Sequence, residues 1–196
     1  IDDKKIEINN KLVLNTQFIC HRINNLEELK NIDKQFGVEI DIRDNKKNEL
    51  ILVHDPFLDG ELFEEYLKKY NHNTLILNIK SERVEFKCLE LLKKYNIENY
   101  FFLDSSFPMI YLINKELNIN NISCRFSEFE NINFFIDNIT MFSTVWVDCF
   151  TKFPLNKEIY DLIKKEEKKI CLVSPELQKQ PEKIEIYRDY IIKNDI

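Results

Sequence analysis

The sequence predicts a mixed α/β fold of the (β/α)8 TIM-barrel type, compact and irregular, formed as one domain over residues 1–196. Three observations lead there. Eight short runs are almost continuously apolar, which is how strands buried on both faces read. Polar, Lys/Glu-rich segments with helical spacing separate most of these runs. The chain is also shorter than the roughly 250 residues usual for such a barrel, so its connections must be short and no large insertion is expected. A doubly wound open sheet is the main competing architecture.

The first predicted strand covers residues 18–22, followed by a helical face of Leu26, Leu29, Ile32 and Phe36. Gly37 then stands where a helix-ending residue with positive φ is expected. Residues 38–43 and 50–54 are the second and third strands, with only residues 44–49 between them. A parallel crossover needs about a dozen residues, so this is a short hairpin-like connection. Closed around Asn45 to Asn48, the pairing sum would be near 93, setting Glu39 opposite His54 with Asp41 one step along the same face. Phe63, Tyr66, Leu67 and Tyr70 mark the next helix, and residues 75–80 the fourth strand. Leu89, Leu92 and Tyr95 mark a further helix, before strands at 100–103, 122–126, 145–149 and 170–173. Ile159, Leu162 and Ile163 form the helical face that precedes the last of them.

Composition narrows the function. A hydrophobic fraction of 44% with 32% charged residues describes a globular chain, and no apolar run approaches the roughly 20 residues of a membrane-spanning helix. The net charge of −6 without a basic stripe argues against nucleic acid or an anionic membrane as partner. With only two glycines, neither a GxGxxG nor a GxxxxGK phosphate loop exists, so a phosphate must be met by side chains. The five cysteines lack CxxC spacing and read as small core residues of a reduced, cytoplasmic protein. The start carries no signal-peptide pattern, and because it is Ile1 rather than Met, further residues are expected before it.

The chemistry concentrates in His21-Arg22, Glu39-x-Asp41 and His54-Asp55. Glu39 and Asp41, two apart on a strand, share one face, and an inward pair of carboxylates is costly unless a cation neutralises it. A hard divalent ion, Mg2+ or Ca2+, suits such oxygens. The plainer alternatives are that one carboxylate pairs with Arg43 or faces solvent, and that His21 is a satisfied core or loop histidine.

The order His21-Arg22, Glu39-x-Asp41, His54-Asp55 and Asn78-Ile79-Lys80 resembles the glycerophosphodiester phosphodiesterase family and, more distantly, the phosphatidylinositol-specific phospholipase C and sphingomyelinase D groups. The motifs cover residues 18–80, and beyond them only the strand and helix rhythm matches. The resemblance implies that His21 and His54 are general base and general acid, that Arg22 and Lys80 hold the phosphate of a small phosphodiester substrate, and that Glu39, Asp41 and Asn78 hold the metal. It leaves a lyase outcome, with release of a cyclic phosphate, beside hydrolysis. It also leaves a weakened or inactive barrel that only binds a phosphorylated ligand, because three positions depart from the pattern. Ile23 stands in place of the family's glycine, and Asn24-Asn25-Leu26 in place of its polar motif. Asn78 stands where a third acid belongs; its amide oxygen can still coordinate but brings no charge, so the cation is expected to be held more weakly or to be supported by another carboxylate such as Asp104. Finally, the short span from His54 to Asn78 removes the family's usual cap.

Other residues are less telling. His72 reads as a surface residue in a polar turn; Trp146 is core or a pocket wall; Asp148 could orient a histidine; Ser105 and Ser106 are a helix cap or a headgroup contact. No Gly-x-Ser-x-Gly context supports a serine hydrolase. The charged residues of 164–169 read as a solvated helix end. A membrane-active lipase would display an exposed apolar rim or a basic amphipathic helix, and neither stands out in the sequence.

Overall fold

The computed structural model describes residues 16–196. Its strands are β1 (Ile19–Cys20), β2 (Gly37–Asp44), β3 (Leu50–Leu52), β4 (Glu61–Leu62), β5 (Leu75–Ile79), β6 (Tyr100–Leu103), β7 (Ser123–Phe126), β8 (Thr144–Val147) and β9 (Lys169–Leu172). The helices are α1 (Leu26–Lys30), α2 (Phe63–Leu67), α3 (Glu85–Lys94), α4 (Phe107–Leu117), α5 (Ile132–Asp137), α6 (Lys157–Lys165) and α7 (Ile184–Asn194). Local chemistry explains several starts: the Asn25 side chain accepts from Glu28 N at 2.8 Å to cap α1, and Asn156 accepts from Ile159 N at 2.9 Å to cap α6.

β1, β2, β5 and β6 run parallel in that order, and a single bridge from Phe102 to Ile122 leads on to parallel β7, β8 and β9. Along these strands alternate residues divide two cores. Leu75, Leu77, Phe102, Val145 and Val147 face the helices, against Phe63, Leu92, Ile113, Phe135 and Ile163. The opposite faces bring Ile76, Phe101, Leu103, Trp146 and Val173 together with Ile19 and Cys171. Residues of the first and the last parallel strand therefore share an inner apolar cluster, as curled strands require. Among the described residues no ladder joins β9 to β1, and a closed barrel is not seen. One of the eight expected strands, β3, runs antiparallel on the edge of β2, which leaves seven parallel strands.

The short connection is the expected hairpin, but its register differs by one residue. Ile42 pairs with Leu52 and Asp44 with Leu50, a sum of 94. Asn45 Oδ1 accepts from both Lys47 N (2.9 Å) and Glu49 N (3.0 Å), drawing Glu49 into the turn and lengthening it to five residues. Glu39 is therefore not opposite His54. Two further expectations fail. The first helix ends at Lys30 rather than near Phe36. Gly37 opens β2 with no positive φ; its value is close approach, since a Cβ there would press on Ile19 and lie 2.6 Å from Thr74 O.

Candidate active site

Above the inner apolar cluster, at the C-terminal ends of the parallel strands, lies a polar layer. β2 sends in Glu39 and Asp41; β5, in register, sets Asn78 beside Asp41, with Lys80 just beyond its end. Glu39 and Asp41 are almost wholly buried, at 1% and 0% exposure. His21 follows β1, with Nε2 3.8 Å from Glu39 Oε2.

His54 reaches the layer by a route the ladder would not have given. The strand ends at Leu52, and Arg43 takes hold of the chain: its Nε and Nη2 donate to His54 O at 3.0 and 2.9 Å, and its Nη1 to Lys80 O at 2.7 Å. Among the described residues Arg43 pairs with no carboxylate. One guanidinium thus fixes both backbones that carry site residues. The imidazole of His54 turns to Arg22, whose Nη2 lies 2.8 Å from Nε2, while Nδ1 lies 2.8 Å from Asp55 Oδ1. A guanidinium can only donate, so Nε2 accepts and the ring proton sits on Nδ1, facing Asp55.

Arg22 itself has φ 56°, a conformation costly for a residue with a Cβ. It is held there by its own N–H, which donates to Glu39 Oε2 at 2.7 Å, and its Nε lies 3.9 Å from Asp41 Oδ2. Asn24 closes on Asp41 from the same loop, donating to Oδ2 at 2.9 Å and accepting from Asp41 N at 2.8 Å.

The acceptors are not all satisfied. Asn78 Nδ2 donates to Glu39 Oε1 at 2.7 Å, which leaves its Oδ1 buried without a hydrogen-bond partner among the described residues. Among the described residues Asp41 Oδ1 is likewise buried without one, with Lys80 Nζ 3.8 Å away. Two orphan oxygens on register partners are a costly arrangement, about 1–3 kcal/mol each, and are what a bound cation would satisfy. Burial first, and then the charge of Asp41, push the Glu39 carboxyl above its usual range, against the bonds from Asn78 and Arg22. Burial and the neighbouring Arg22 hold His21 below the ordinary histidine value, so its imidazole is neutral at neutral pH. Among the described residues no group of three or more His, Cys, Asp or Glu side chains gathers as a metal site; the set here is two acids and an amide.

The other half of the layer is different. Arg125, on β7, donates to Asp104 from Nε (2.6 Å) and Nη2 (3.0 Å) and also pairs with Asp148. Burial works against the charge on Asp104, but the bonds and charge of Arg125 still bring its carboxyl below the usual range. Lys80 Nζ adds a contact to Asp104 at 3.4 Å. Asp104 is thus paired with Arg125 and Lys80; Asp148 meets Arg125 and orients no histidine. Trp146 belongs to the inner apolar cluster. His72 is half-buried, with Nε2 3.0 Å from Ile32 O and its ring against Tyr70. Ser106 Oγ donates to Glu82 at 2.6 Å instead of capping α4.

The sequence reading missed Arg125 as a member of this layer; it named Asn24 only as a departure in the first loop, Arg43 only as an alternative carboxylate partner, and gave Asp55 no role of its own. Arg43 and Arg125 carried a usable signal: each continues the inward alternation of a strand, from Glu39 and Asp41 on β2 and from Ser123 on β7.

No protein-family model and no curated protein sequence matches the chain. Among solved structures it is similar to the crystal structure of a glycerophosphodiester phosphodiesterase from Agrobacterium tumefaciens str. C58, with a TM-score of 0.59 over 80% of this chain and 86% of that one. At 12% identity this likeness is one of fold. No helix among the described residues is long and apolar enough to cross a membrane.

Proposed function

We propose that this protein is a metal-dependent phosphodiesterase that hydrolyses a glycerophosphodiester-like substrate to an alcohol and a phosphomonoester. The observation that carries the reading is the meeting of His21, Arg22, Glu39, Asp41, His54, Asn78 and Lys80 at one edge of the parallel strands, on a fold similar to that of a phosphodiesterase. We read the fold as a relative of the (β/α)8 barrel with one ladder open.

The donor set fits a hard cation, since the orphan Asp41 Oδ1 and Asn78 Oδ1 and the carboxylate of Glu39 offer it oxygens alone. Mg2+ or Ca2+ held by Glu39, Asp41 and Asn78 would supply positive charge against the two carboxylates and the developing phosphoryl charge. Arg22 and Lys80 meet the phosphate oxygens. His21, neutral at neutral pH, takes the proton of a substrate hydroxyl beside the diester, and the resulting oxygen attacks phosphorus. As Arg22 turns to the phosphate it frees His54 Nε2 to take up a proton from solvent and pass it to the departing alcohol, while Asp55 stabilises the imidazolium through Nδ1. Water then opens the cyclic phosphate with the two histidines exchanging roles.

The test is release of phosphomonoester from glycerophosphodiesters with Mg2+, Ca2+ or Mn2+, for the wild type, His21→Ala and His54→Ala. Each substitution should lower turnover by about 10²–10⁴-fold. Activity that survives both would sink the two-histidine mechanism. Absence of turnover with every diester and cation would favour a binding-only barrel, the reading that Asn78 in place of an acid supports.

A further inference from the structure

We infer that the mouth of this site docks onto a lipid surface of zwitterionic headgroups, and that the diester it takes is presented there; the inference rests on the phosphodiesterase reading for what enters the site. The sequence suggested no apolar rim, yet one exists. Phe57 is 102% exposed and Phe129 74%, and Leu58, Phe107, Phe134 and Phe150 are exposed as well. Their places in the fold are shared. Phe57 and Leu58 lie on the loop that carries His54; Phe107 follows β6 and Asp104; Phe129 follows β7; Phe150 follows β8 and Asp148. Each of these loops leaves a strand at the edge where His21, Asp41 and Lys80 stand. Phe129 packs on Phe150 with ring centroids 6.2 Å apart, and Phe107 on Phe134 at 5.5 Å. One side of the mouth is thus rimmed by paired aromatic rings and the other by the Phe57-Leu58 tip.

Exposed apolar groups at several loop tips around one opening mark an interaction site. Phe57 adds a second sign, for it is held at φ 66°, a conformation a bulky residue rarely takes, with its ring wholly in water. A protein partner seated on this rim would close the mouth to substrate. A lipid layer would cover the same rings and deliver a phosphodiester between them. Charge selects the kind of layer: within two residues of these tips Asp55, Asp59, Glu128 and Glu130 stand against Lys152, with Lys183 reaching the last loop at Thr151 O, while Asp148 is buried against Arg125. Such a rim is repelled by anionic lipid, whereas a zwitterionic surface accepts it.

The test is flotation of the full chain with phosphatidylcholine vesicles and with vesicles containing phosphatidylglycerol. Binding to phosphatidylcholine should resist salt and should not rise with phosphatidylglycerol. Phe57→Ser with Leu58→Ser, and separately Phe129→Ser with Phe150→Ser, should each lower it by about tenfold or more, with circular dichroism and melting temperature confirming that both variants fold. The inference is overturned if the wild type fails to float with phosphatidylcholine, if binding needs phosphatidylglycerol and disappears in salt, or if both rim variants bind as the wild type does. A dimer abolished by the same substitutions would also overturn it, by assigning the rim to a second copy. Vesicle binding does not depend on turnover. Binding without hydrolysis of any diester would therefore remove the proposed reaction and leave the docking, and hydrolysis without binding would do the reverse.

Discussion

The two halves of the polar layer hold similar side chains in opposite states. Around β6, β7 and β8, Arg125 answers both Asp104 and Asp148, and the charges are used up within the protein. Around β2 and β5, Asp41 Oδ1 and Asn78 Oδ1 are buried with no hydrogen bond, Glu39 is pushed toward its protonated form, and Arg22 is bent into a costly conformation. Buried polar groups in folded chains are ordinarily satisfied; the β6–β8 half leaves Ser105 Oγ and Trp146 Nε1 without a hydrogen-bond partner among the described residues but answers its carboxylates, so the half with an unanswered carboxylate oxygen is the one shaped for something that binds. The satisfied half holds it in place, through the contact of Asp104 with Lys80.

If that contrast is right, substitutions in the two halves should act on different quantities. The largest effect after the histidines belongs to Arg43. Arg43→Ala removes the clamp on the backbones of His54 and Lys80, and turnover should fall about tenfold to a hundredfold, as displaced catalytic groups do. Steady-state kinetics on a soluble diester will show it, and unchanged kcat would mean that His54 is positioned by Arg22 and Asp55 alone.

Arg125→Met should act on stability first. It strands Asp104 and Asp148 without their guanidinium, at about 2 kcal/mol, less than for a fully buried pair because Arg125 is about one-third exposed. Urea unfolding measures it; a loss under about 0.5 kcal/mol would show that this half is not held by its ion pairs.

Glu128 should have the smallest effect. It ties the tip loops after β7 and β8 by accepting from Thr151 Oγ1 at 2.8 Å and from the backbone N–H groups of Phe150, Thr151 and Lys152. Burial opposes its charge more than any single bond favours it, but together these bonds bring its carboxyl down to about 2 from an ordinary value of 4.5. Because the folded state binds the proton less readily than the unfolded one, this contribution is complete above about pH 4.5 and is lost as pH falls toward 2. Glu128→Gln should therefore lower the melting temperature slightly at pH 7 and converge on the wild type below pH 3; a gap that stays constant with pH would assign the effect to packing.

Much of this was legible in the sequence, for identifiable reasons. The strands could be read because Val38, Ile40 and Ile42, or Leu75 and Leu77, are apolar on the face that meets the helices, while Ile76 fills the inner cluster. The members of the site could be read because Glu39, Asp41, Asn78 and Lys80 alternate on two strands. What failed was non-local or finely geometric. The hairpin slipped by one residue because a side-chain bond from Asn45 lengthened its turn. The cations that balance the layer, Arg43 and Arg125, answer groups up to 37 residues away in sequence. The apolar rim is made of phenylalanines that follow four different strands, in loops and at helix starts, which look scattered until the strand ends gather them.

The contrast between the halves is tested most directly by the melting temperature of wild type and Asp41→Asn, each in chelator and in saturating Mg2+ or Ca2+. In chelator the variant should melt above the wild type, by the equivalent of about 1 kcal/mol. It removes a charge that disfavours ionised Glu39 and puts an amide donor on the register partner of Asn78, whose Oδ1 is an orphan. With the cation present the order should reverse, because only the wild type gains stability from binding. A variant that melts below the wild type in both conditions would show that Asp41 is a structural partner of Arg22 and Lys80, and would contradict the account.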